Sequence, residues 1–182
     1  SQFLDRYARN HWGWDEGGVR AYLSGPVRIL DVVRWKMAAA FAVCSFSLVL
    51  ALVLFLVLVG SPDPRDVAFT AGGAVAVAVY HFGHGALASA WFPRAEKFAG
   101  SRKGHRPNTF EAFLGSAFRV PFYALLGGAI HLYAKSPPTG FAALGLVLAV
   151  SGGAAYGFSA LAASFLERRP EFLTEAVARP PE

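Results

Sequence analysis

Four stretches of this chain are long, apolar and free of Asp and Glu: residues 37–60, 67–92, 112–134 and 140–166. Three of them lack Lys and Arg as well; the third holds Arg119. A hydrocarbon core about 30 Å thick is crossed by about 20 apolar residues in a helix, so each stretch is long enough to span a membrane. No other fold uses four such blocks, because backbone N–H and C=O groups in lipid find partners only within a helix or a closed barrel. The expected fold is therefore an all-α membrane protein with four transmembrane helices.

Composition agrees. Charged residues make up 16% of the chain, against roughly 25% in a soluble domain. Disorder is excluded by 54% hydrophobic residues, and a disulfide scaffold by the single cysteine, Cys44. The net charge of +5 reads as topology charge rather than as a nucleic-acid surface.

The links between spans are sharp. Ser61-Pro62-Asp63-Pro64-Arg65-Asp66 and Ser136-Pro137-Pro138-Thr139 read as tight polar turns, which favour antiparallel neighbours. The middle link, Pro93 to Glu111, is longer and basic, and Asn108 with Glu111 fits a capping box opening the third helix. Lys and Arg cluster before Met37, in the middle link and after Leu166, whereas the two tight turns hold Arg65 and Lys135 alone. Both termini and the middle loop are thus expected on the positive side, matrix or cytoplasm. The sequence starts at Ser1, as a processed import product does, so the expected location is the mitochondrial inner membrane rather than a bacterial plasma membrane.

Three regions follow. Residues 1–36 form an N-terminal surface or interfacial segment, with Trp12, Trp14 and scattered charges. Residues 37–166 form the four-helix bundle. Residues 167–182 are a polar tail. The fourth span carries Gly145, Ala149, Gly153 and Gly157 at steps of four. Lipid gives no hydrophobic drive between helices, so this small-residue stripe is expected to make a close seam, inside the chain or with a partner. Gly72 with Ala76, and Gly85 with Ser89, are weaker versions on the second span.

The chemistry-bearing feature is Tyr80-His81-Phe82-Gly83-His84-Gly85 in the second span. Ionisable residues at this depth are rare and often functional, and His81 and His84 share a helix face. Three readings stay open. One histidine is an axial ligand of haem b, with Gly83 or Gly85 making room for the macrocycle; the pair binds a metal; or the pair hydrogen-bonds to neighbouring helices. A metal would need further ligands at the same depth; the spans hold no Asp or Glu and Cys44 is alone, so no metal is expected. His131, the other histidine in a span, lies at a different depth from His81 by helical rise. A haem here would take its second ligand from another chain.

The string Tyr80-His81-x-x-x-Gly85, with Trp91 beyond it, resembles the second membrane helix of the cytochrome b anchor subunit of succinate dehydrogenase, respiratory complex II. Leu23-Ser24-Gly25-Pro26 and Arg34-Trp35 resemble that family's leader into its first helix. The resemblance implies haem b on His81, with Tyr80, His84 and Gly85 around it, a second anchor subunit, and a quinone pocket. The chain departs from the family at Ala86-Leu87-Ala88, where the family has Ile-Arg-His. It also has four spans for the family's three, and no Arg between Ala42 and Leu48. The Gly-rich four-span pattern also resembles translocase-like accessory subunits of respiratory complex I.

Arg119 is the charge inside a span. With Arg102, Lys103 and Arg106 it forms a candidate phospholipid site, suited to cardiolipin; alone it reads as an arginine snorkelling to the positive interface. Pro121 removes the donor for the Ala117 carbonyl, and a kink is expected there. Walker, nucleophile-elbow and Rossmann motifs are absent. The leading expectation is a small non-catalytic anchor or accessory subunit of a respiratory complex, in contact with other membrane subunits and phospholipids and not with nucleic acid. The alternatives are a haem b and quinone-site anchor, and a free-standing transporter or channel component, which would show polar lining or an internal repeat. Neither is evident in the sequence.

Overall fold

Long uncharged runs leave the backbone to pair with itself, and the described residues answer with four long helices. The structure, a computed structural model, describes Tyr22 and residues 25–59, 62–92 and 109–171. Helix α1 is Ile29–Val59, α2 is Pro64–Trp91, α3 is Thr109–Lys135 and α4 is Pro137–Arg168. Three of these are long and apolar enough to cross a membrane: α2, α3 from Phe113 onward, and α4. By length and composition this is an integral membrane protein. α1 is 31 residues long and starts eight residues before the uncharged run at Met37.

The two tight links are shorter than their prolines suggest. Pro64 and Pro137 open helices instead of forming turns. A proline at the first helical position gives up an N–H that has no helical partner there, and its fixed φ already suits the helix. Asp63 caps α2, its Oδ1 accepting from the Arg65 backbone N–H at 2.7 Å. Between α3 and α4 a single residue, Ser136, lies outside both helices. That reversal is tight enough to require glycine at position 140, where a Cβ would lie 2.3 Å from Tyr133 Cα.

α2 and α4 make the most extensive helix pair, and α4 packs against all three other helices. The α2–α4 contacts join residues 72 positions apart (69 with 141, 72 with 144, 83 with 155), so the two helices run parallel in constant register. α3 runs antiparallel to α2, with Tyr133 near Asp66, Leu126 near Gly73 and Phe118 near His84. α1 packs its first turns, Ile29, Val32 and Val33, into the main core. Higher up, its Ala40, Phe41 and Cys44 pack with Phe82 and Ala78 of α2.

The small-residue stripe on α4 is not the seam within this chain. Gly145, Ala149 and Gly153 are exposed, and a Cβ on Gly145, Gly153 or Gly157 would meet nothing within 4 Å. Steps of four drift about 40° each around a helix of 3.6 residues per turn. The buried face instead alternates threes and fours through Leu144, Val147, Ser151, Ala155, Phe158, Ala162 and Leu166. The close approach is made from α2, where Gly83 meets the α4 backbone; a Cβ there would lie 2.5 Å from Ala155 Cα. Ala76 and Ser89, the weaker small-residue signals, are both fully buried.

Gly83→Val is therefore expected to force α2 and α4 apart and cost about 1–3 kcal/mol, the usual range for overpacking. Gly153→Val, on the open face, is expected to be near neutral. Thermal unfolding of both variants in detergent checks the contrast.

Candidate functional site

The Tyr80–Gly85 string sits in the second half of α2, and its side chains diverge. Tyr80 and His84, four residues apart, point into the bundle, at 5% exposure each. His81 is turned towards α3 and is half-buried.

The Tyr80 ring stacks on Phe122 of α3, centroids 4.1 Å apart and planes 5° off parallel. Its edge meets Phe158 of α4 at 5.9 Å. Its hydroxyl donates to the Phe118 carbonyl. That carbonyl adjoins the turn which Pro121 deprives of a donor, because proline has no N–H to give Ala117. The α3 helix runs through Pro121, and Tyr80 adds a side-chain donor at the weakened turn.

His84 lies between Phe118 at 5.8 Å and the edge of Phe158 at 6.0 Å. Phe118 and Phe158 themselves meet edge-on at 5.3 Å. Edge-on and offset ring pairs add about 0.5–1.5 kcal/mol each beyond burial, so Phe158 acts as a hub joining α4 to both neighbours. The buried serines of α4 are satisfied by their own helix: Ser151 Oγ donates to Val147 O at 2.7 Å, and Ser159 Oγ to Tyr156 O at 2.8 Å.

His81 Nε2 and the Tyr123 hydroxyl are hydrogen-bonded at 2.7 Å. This pair bridges α2 and α3, and Tyr123 is 46% exposed. A haem on His81 would need that nitrogen and room beside Gly83. The nitrogen is engaged by Tyr123, and the space at Gly83 is filled by the Ala155 backbone of α4. Gly85 is buried too. Among the described residues, no three His, Cys, Asp or Glu side chains come together as a metal site.

Arg119 directly follows Phe118 of this cluster on α3. It is half-buried and its Nε is enclosed by protein. Arg102, Lys103 and Arg106, and the Asn108–Glu111 capping box, lie outside the described residues or side chains, as does most of the N-terminal segment and the polar tail. His131 is exposed near the far end of α3. At that end a second clasp forms. The Tyr133 hydroxyl donates to Asp66 Oδ1 at 2.6 Å, and its ring stacks on Phe69 at 4.1 Å.

Phe118, Phe122, Tyr123 and Phe158 carry no motif. The signal available was spacing: Phe118 and Phe122 are four apart and so share a face of α3. Comparison with protein-family models, curated proteins and solved structures returns no match.

Phe158→Ala is expected to be the more costly, since it removes edge contacts to Tyr80, His84 and Phe118 worth about 0.5–1.5 kcal/mol each. Tyr80→Phe, which keeps the stack and removes one hydrogen bond, is expected to cost about 0.6 kcal/mol, the average for such bonds in membranes. Reversible unfolding in mixed micelles separates the two.

Proposed function

We propose that this chain is a four-span membrane subunit that packs and anchors, with no catalytic site of its own, in a multi-subunit respiratory complex of the mitochondrial inner membrane. The observation that carries the reading is how the polar residues of the spans are used. Tyr80 bonds to the α3 backbone, His81 to Tyr123, and His84 is enclosed by Phe118 and Phe158. Each spends its chemistry on holding helices together.

α1 is the fourth span in this reading. At about 1.5 Å per residue it is long enough to cross. Beyond Met37 it shows lipid-compatible side chains, among them Val43, Phe46, Val53 and Leu58, all exposed. The respiratory assignment rests on the resemblance of Tyr80-His81-x-x-x-Gly85 to the complex II anchor.

The test is purification of the tagged full chain from its native membrane in mild detergent, with a reduced-minus-oxidised spectrum of wild type and His81→Ala. The expected result is co-purification with other membrane subunits in fixed stoichiometry, and any b-type band unchanged by the substitution. A chain that purifies alone overturns the subunit reading. A b-type band lost in an assembled His81→Ala complex puts haem b on this chain and installs the electron-transfer anchor instead.

A further inference from the structure

Arg34 stands on α1 just before the uncharged run begins. Its guanidinium lies over the ring of Tyr156 on α4, 4.9 Å from the centroid. Among the described residues it makes no ion pair; Asp31, three residues earlier on α1, is not in one with it. A guanidinium held over an aromatic ring keeps N–H donors for an anion, and such donors grip a phosphate with two parallel hydrogen bonds.

The depth is also defined. Tyr156 lies 19 residues along α4 from Pro137, about 28 Å at helical rise. Pro137 is flanked by Lys135 and lies near the Asp66–Tyr133 clasp, so it marks one boundary. With a core about 30 Å thick, Tyr156 and Arg34 fall near the opposite boundary, level with His84 in the constant α2–α4 register. Trp35 beside Arg34 is 75% exposed, as an interfacial aromatic is. Lys36 follows, its Nζ 5.4 Å from the Tyr22 ring centroid.

We infer that Arg34, positioned by Tyr156 and flanked by the exposed Trp35, binds the phosphate of an anionic phospholipid at the boundary where α1 begins. This rests on reading α1 as a span. It adds a site to the membrane-subunit reading. The acyl chains of a lipid held there run along α4 past Gly153, Ala149 and Gly145.

The test is native mass spectrometry of the isolated full chain in detergent, offered equal dioleoylphosphatidylglycerol and dioleoylphosphatidylcholine. Wild type is expected to retain the anionic lipid preferentially. Arg34→Gln is expected to lower that preference about fivefold, the worth of one interfacial cation. Lys135→Gln, at the other boundary, is expected to leave it unchanged. Tyr156→Leu keeps the charge and removes the ring, so a partial loss is expected; this variant carries the test if Arg34→Gln does not insert. Equal retention of both lipids by wild type, or an unchanged preference in both Arg34→Gln and Tyr156→Leu, overturns the proposal. Displacement of the lipid by soluble glycerophosphate would also overturn it, assigning the site to free phosphate. Because the isolated chain is used, the outcome is independent of which complex the chain joins.

Discussion

In hydrocarbon, an apolar side chain gains nothing from leaving the solvent, so helices stay together only where their surfaces fit or their polar groups meet. The backbone contact of Gly83 with Ala155 is the point where this constraint is met most closely. It brings α2 and α4 near enough to hold a constant register, and that register sets what α1 and α3 can reach. Tyr80 and His84 project from the same stretch of α2 towards Phe158 only because Gly83 lets α4 lie against it.

Around that seam, aromatic rings do what aliphatic packing does in a soluble core. Stacked and edge-on rings have preferred geometries, so Tyr80, Phe118, Phe122 and Phe158 fix rotation as well as distance. The polar edges are placed economically. One hydroxyl reinforces a proline-weakened turn, another pairs with an imidazole, and a third closes the far end on Asp66. An intramembrane histidine invites a cofactor reading, yet the same residue type serves equally well as a helix-to-helix contact when its neighbours are rings and hydroxyls.

The helices were legible in the sequence because lack of charge over more than twenty residues has one physical meaning. Their ends were less so. Pro64 and Pro137 look like turn residues, and only the backbone distinguishes a turn from the first residue of a helix. The conspicuous Gly145–Gly157 stripe does not face a helix of this chain, since glycine spacing records where a helix lacks side chains and not what lies opposite. Tyr80 and His81 were visible as unusual. Their partners Phe118 and Tyr123 were not, because those contacts join residues 38 and 42 positions apart and lie on another helix. The same holds for Arg34, which reads as a topology charge until Tyr156 is found beneath it.

α4 touches every other helix, and α2 and α3 meet mainly through large side chains that α4 braces from behind. Proteins are made from the N-terminus, so α4 is the last of the four to leave the ribosome. Until it does, α2 has no backbone partner at Gly83, and Tyr80 and His84 lack the Phe158 ring. The order of synthesis thus makes α4 the keystone of these four helices: the seam at Gly83 and the ring contacts of Phe158 form only once it has emerged.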